Sequence, residues 1–188
     1  MKGIVFRSFE TFVAERFGED IIEDAMEQPE LSTGGAFTNV GNYPPSDFLT
    51  MVVFVAEQTK TPVPVLVTDF GEALFHILAG AHTDMVKGYD NAIALLSVIE
   101  NVIHRDVRKI YTNAELPRFD ILDRKGDSYL HMDYSSARPF ADLAEGLIKG
   151  CLDHYGVKEI SSIMREDIQP DGTHSRFEVK IDQNGKTG

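Results

Sequence analysis

The chain has 188 residues, 43% of them apolar, a formal charge of −12 at pH 7 and one cysteine, Cys151. That length fits one large domain able to build a core and a ligand cavity, and the charge argues against nucleic acid as a partner, since phosphate binding is largely cationic. A lone thiol excludes an internal disulfide and points to a reducing, cytoplasmic setting, while apolar runs such as 51–56 are too short to span a bilayer, so neither signal peptide nor membrane contact is expected.

Val5, Phe9, Phe12 and Val13 share one helical face, and Gly18 closes that segment before Ile21, Ile22, Ala25 and Met26 begin another. Residues 31–43 are rich in Gly, Ser, Thr and Asn and read as a loop. A helix then starts at Pro45-Ser46-Asp47, with Ser46 as its N-cap. Thr61-Pro62 opens the next helix, whose stripe of Leu66, Phe70, Leu74, Ile77 and Leu78 runs to a stop at Gly80. From Asp90 to Tyr111 the apolar positions Ile93, Leu96, Ile99, Ile103, Val107 and Ile110 recur every three or four residues, predicting one long amphipathic helix with His104 beside its buried stripe.

Beyond Pro117 the period changes to two. Residues 119–121 and 129–132 alternate around Lys125-Gly126-Asp127, which predicts a hairpin leading into Tyr134. Pro139 suits a first helical position, and Phe140, Leu143, Leu147, Cys151 and Leu152 mark the helix that follows. A last strand pair, roughly 158–164 and 175–181, flanks Gln169-Pro170-Asp171-Gly172. Helices, two strands, a helix and two strands make an α+β fold over residues 1–182, ahead of a frayed polar tail at 183–188.

Two features carry chemistry. In an extended segment Tyr134, Ser136 and Arg138 would face one way and offer two hydroxyls and a guanidinium to a carboxylate pair. His104, on a helix facing an apolar cavity, could hold the iron of a haem whose propionates such a trio binds. Each also has an ordinary reading: a lone histidine on an apolar helix is more often a hydrogen-bonded core residue, and an arginine at a strand end needs no ligand. None of the six histidines falls in a zinc spacing.

Taken together, the start Met1-Lys2-Gly3-Ile4, His104 and Tyr111 with six residues between them, Ala114-Glu115-Leu116-Pro117-Arg118-Phe119, Tyr134-x-Ser136-x-Arg138 and Gly146-Leu147-Ile148-x-Gly150 resemble the haem nitric oxide/oxygen-binding (H-NOX) domain. That is the haem domain of soluble guanylate cyclase and of its bacterial stand-alone relatives. The resemblance implies one haem b per chain, held at its iron by His104 and at its propionates by Tyr134, Ser136 and Arg138, with Pro117 pressing on the haem plane. It also implies an N-terminal helical lobe, about 1–60, packed on a haem-enclosing remainder, about 61–182, that bears a four-stranded antiparallel sheet.

In the oxygen-binding members a distal tyrosine lies five residues beyond the arginine, where this chain has Leu143. The other distal candidates, Val5, Phe9, Leu74, Leu78 and Leu147, donate no hydrogen bond either. Oxygen needs such a donor and nitric oxide does not, so the expectation is a nitric oxide sensor that also takes carbon monoxide and excludes oxygen. Release of His104 would then convert gas binding into a shape change. The sequence holds no catalytic output segment, so the signal would pass in trans to a histidine kinase or to a cyclic-di-GMP enzyme, a diguanylate cyclase or phosphodiesterase. The alternatives are a haem-independent redox or interaction module on the same fold and, more remotely, a haem enzyme such as a peroxidase. Cys151 sits on the apolar helical stripe and reads as a buried structural thiol, and no zinc site is expected near His174.

Overall fold

The first helix, α1 (Gly3–Phe17), starts without a side-chain cap. Its leading N–H groups are met by a loop instead, Gly3 N donating to Gly41 O at 2.9 Å and Ile4 N to Asn39 O at 3.1 Å. Only glycine fits there, because a Cβ on residue 3 would lie 1.8 Å from the Thr38 carbonyl oxygen. Gly18, at φ +110°, then turns the chain into α2 (Glu19–Met26). The computed structural model describes residues 1–110 and 115–182, apart from the side chains of Met85, Asp106 and Ile110. Expectations for Tyr111, Ala114, the Ile110 side chain and the tail at 183–188 therefore lie outside the described residues.

Three local expectations are corrected in the helices that follow. Helix α3 (Pro45–Thr59) has Pro44 at its N-cap position, and Ser46 lies within the first turn and caps nothing; the proline fixes φ where no N–H is needed. Helix α4 (Val63–Ala81) runs through Gly80 and stops at His82, one glycine being insufficient to end it. The long helix expected over 90–111 is broken. It becomes α6 (Ala92–Leu96), a π-helical segment (Ile99–His104) and α7 (Arg105–Ile110), after a short α5 (Thr83–Lys87). The break starts where Ser97 turns its hydroxyl back onto Ile93 O at 2.6 Å, and Val98 O then accepts from both Val102 N and Ile103 N.

The hairpin forms where the sequence predicts, but a bulge between Ile121 and Asp123 interrupts the alternation and leaves Ile121 exposed. Strand β1 (Arg118–Lys125) pairs antiparallel with β2 (Tyr129–Ser135), and β3 (Ser161–Asp167) with β4 (His174–Ile181), in sheet order β1-β2-β4-β3. Residues 158–160 are a single 3-10 turn rather than the start of β3. Helix α8 (Ala141–His154) lies between the pairs in sequence, and Pro139 precedes it by two residues, so Phe140 and not the proline stands at its edge.

Two buried apolar clusters result. The first joins α1, α2, α3 and residues 66–74 of α4 with Phe140 and Leu143, and it is rich in rings: Phe6, Phe9, Phe12, Phe48 and Phe70 contact one another edge to face or tilted. The second packs Leu130, Met132, Tyr134, Phe177 and Val179 of the sheet onto α6 and the Ala144, Ile148, Cys151 and Leu152 face of α8. Helices α4 and α8 run through both, and their backbones nearly touch: a Cβ on Gly146 would be 2.1 Å from Thr68 O and one on Gly71 2.6 Å from Leu143 O. By length and composition α4, with a mean hydropathy of 1.4, is the one described helix that could cross a membrane. Its Leu66, Val67, Phe70 and Leu74 are instead core, and its Asp69 and Glu72 pair with Arg16 and Lys158.

Candidate functional site

His104 closes the π-helical segment with its side chain 13% exposed. Its ring lies 5.9 Å from that of Phe119 on β1, which in turn lies 5.2 Å from that of Tyr134 on β2. Register produces this contact, since Phe119 is the cross-strand partner of Tyr134. The ring nitrogens meet two acceptors. Nδ1 is 3.0 Å from Glu100 Oε2, and the half-buried Pro117 accepts through its backbone carbonyl. Burial lowers the His104 pKa, against the raising effect of Glu100, so the ring is held as the neutral base that a metal requires.

Tyr134 and Ser136 come together with the backbone of Arg138, though not by strand alternation, and the Arg138 guanidinium lies on Glu115. Strand β2 ends at Ser135 and the chain bends over 137–139. Ser136 is pinned by its N–H donating to Thr173 O at 2.8 Å, and its hydroxyl then accepts from Arg138 N at 3.1 Å and hydrogen-bonds the Tyr134 side chain. Tyr134 is 1% exposed and burial raises its pKa, so the phenol stays a neutral donor. Arg138 swings its guanidinium onto the Glu115 carboxylate and reaches the Glu115 carbonyl at 3.4 Å.

The six distal candidates fall on one side. Phe9, Leu74 and Leu143 are buried in the first cluster, and Val5, Leu78 and Leu147 pack against it while partly buried. Phe119, Tyr134 and Ile103 belong to the second cluster. His104, through Phe119, and Tyr134 therefore border the sheet-side core, and the distal candidates the helical core. The tyrosine packed against that helical core, Tyr43, turns its hydroxyl to Thr38, accepting from Thr38 N at 2.8 Å.

The residues present suit a haem. The donor set is an imidazole for iron and hydroxyl and guanidinium groups for carboxylates, and Arg138 already holds a carboxylate, that of Glu115, whose side chain is 75% exposed and easily displaced. Cys151 offers no competing chemistry. It is fully buried, its thiol is pushed up to about 12 by burial, and Sγ faces Ala92 O at 3.9 Å. Two surface cavities of about 390 Å³, one lined by Leu49, Val53, Phe54 and Glu57 and the other by Asp69, Glu72, His76 and Asp153, include none of these residues.

Sequence reasoning missed Glu100 and the bridging role of Phe119. Glu100 carries a signal, its spacing of four residues before His104 on a helix; Phe119 carries none apart from strand register.

Residues 2–161 match the family model described as Haem-NO-binding. Among solved structures, the chain is similar to the Fe(II) unliganded H-NOX protein from K. algicida, at 30% identity with TM-score 0.91 over 100% of both chains. The H-NOX protein from S. oneidensis in the Fe(II)NO state matches at 26% identity and TM-score 0.83, covering 97% of this chain and 100% of that one. The IWP-051-bound H-NOX from Shewanella woodyi in the Fe(II)CO state matches at 34% and 0.81, covering 100% and 98%. No curated protein matches the chain.

Proposed function

Because the chain belongs to the Haem-NO-binding family, we propose that it is a haem-based sensor of nitric oxide that excludes oxygen and signals to a separate protein. The bound group would supply a ferrous iron able to take a diatomic gas. His104 would hold that iron, Tyr134, Ser136 and Arg138 would bind the propionates, and Pro117 would bear on the ring. The observation that supports the reading is the run of rings His104–Phe119–Tyr134 at the sheet-side core, together with a helical core in which Val5, Phe9, Leu74, Leu78, Leu143 and Leu147 donate no hydrogen bond.

Gas preference follows from that helical side. A charge-assisted hydrogen bond to bound oxygen is worth roughly 1.5–3 kcal/mol, so its absence at Leu143 costs about 10- to 150-fold in oxygen affinity. Nitric oxide and carbon monoxide lose nothing comparable. His104 would be the single protein anchor, and a loss of that anchor would let α7 and the π-helical segment change shape, which a histidine kinase or a cyclic-di-GMP enzyme could sense provided it binds the two shapes unequally. The domain spans 1–182 with its two lobes meeting at α4 and α8, and the setting is cytoplasmic. A haem-independent redox module draws no support from Cys151, whose thiol is buried and un-ionised.

The test is the absorption spectrum of purified ferrous protein, first in air and then under nitric oxide. A haem spectrum unchanged by air but altered by nitric oxide is expected. Absence of haem would overturn the cofactor, and a stable oxygen complex in air would overturn the selectivity.

A further inference from the structure

Among the described residues Glu100 is the carboxylate that contacts His104, and both of its oxygens are engaged. Oε2 lies 3.0 Å from His104 Nδ1, while Oε1 accepts from Arg108 Nη2 at 2.9 Å. The three residues lie four apart across the end of the π-helical segment and the start of α7, so the helix stacks them on one face. Glu100 and His104 side chains are only 22% and 13% exposed, which shields the pair, whereas Arg108 is 44% exposed and closes it from outside. With Arg108 on its far oxygen the carboxylate is held from both sides, which favours one orientation of the imidazole it contacts.

We propose that Glu100 is the positioning residue for His104, setting ring orientation and the strength of the bond that His104 makes to iron; this rests on the haem reading above. A neutral imidazole has one N–H. With the metal on Nε2 that proton stands on Nδ1, and of the two acceptors around the ring Glu100 is the charged one. A carboxylate pulling on Nδ1–H increases the electron density at Nε2 and makes the ring a stronger ligand, as such outer partners do at metal sites generally. Because the proposed switch is release of His104, Glu100 sets how readily that release occurs. Its effect lies on the anchor, and it touches neither gas nor the distal wall.

The experiment compares wild type with Glu100→Gln, which keeps size and removes the charge, and Glu100→Ala, which removes the acceptor. Two quantities are read on the ferrous proteins: the iron–histidine stretching frequency by resonance Raman, and the rate of haem transfer to apomyoglobin. In both variants the stretch is expected to fall and haem transfer to quicken about tenfold, with the circular dichroism of wild type retained. An iron–histidine stretch at the wild-type frequency in folded, haem-loaded Glu100→Gln and Glu100→Ala would overturn the proposal. Absence of any iron–histidine band from wild type would instead overturn the haem reading beneath it.

Discussion

At the scale of single residues, Leu143 and Glu10 allow the sharpest tests. Leu143 is 9% exposed in the helical core. Leu143→Tyr places a phenol where the oxygen-binding relatives have one, and the expected result is a ferrous protein that forms an oxygen complex in air, its oxygen affinity raised about 10- to 150-fold. Stopped-flow oxygen binding, with carbon monoxide as a control for site integrity, measures it. Glu10 sits on α1 with one carboxylate oxygen on Arg7 and the other, Oε1, buried without a partner among the described residues. Burial raises its pKa against the opposing pull of Arg7. A carboxyl whose folded pKa lies above its unfolded value contributes stability at low pH and loses it as pH rises through the folded value. What the raised value reports is the cost of burying the charge, and the ion pair to the half-exposed Arg7 offsets at most about 1 kcal/mol of it. Glu10→Gln is therefore expected to stabilise the protein by about 1 kcal/mol at pH 7 in urea melts, and the gain should vanish as pH falls into the ordinary carboxylate range.

Elements explain both what was legible in the sequence and what was not. The hairpin over 118–135 was legible because alternation and Lys125-Gly126-Asp127 report the same backbone twist, and Gly126 does take φ +55°. The break at Ser97 and Val98 was not. Apolar residues every three or four positions look alike whether an N–H reaches back four residues or five, as Ile103 N does to Val98 O at the start of the π-helical segment. The alternation expected of Tyr134, Ser136 and Arg138 was not borne out: the strand ends at Ser135, and Ser136 instead links Tyr134 to the Arg138 backbone through a bend. Gly146 belongs to this scale as well, since its role appears only when α8 meets α4. Gly146→Ala would gain about 0.5–1 kcal/mol of helix propensity, but the new Cβ would stand 2.1 Å from Thr68 O and force the helices apart, an overpacking cost of about 1–3 kcal/mol. The cost outweighs the gain, so the melting temperature should fall, and haem retention should fall with it if the α4–α8 crossing sets the distance between the two cores.

For the whole molecule, the question is how a local event at His104 reaches the surface. The two cores are joined through α4 and α8, which are clamped by the close glycine contacts and by Lys158–Glu72 and His76–Asp153. Those clamps bind α4 and α8 to each other or to the turn before β3; none of them touches the π-helical segment. That segment is held on the sheet-side core by Ile99 and Ile103 and by the contacts of His104 with Pro117 and Phe119, outside those clamps. A signal strong enough to reverse a 1:99 population needs about 5.5 kcal/mol of differential binding, more than rim contacts supply and within reach of making or breaking a metal anchor. His104→Gly is accordingly expected to keep haem weakly through Tyr134, Ser136 and Arg138 while losing the link between gas and shape. Hydrogen exchange over residues 99–110 reads this directly: nitric oxide should speed exchange there in wild type, whereas in His104→Gly exchange should be fast from the outset and indifferent to the gas. A nitric oxide response of wild-type size in His104→Gly would mean that the lever is not His104, and would move it to the distal wall at Leu143 and Leu147.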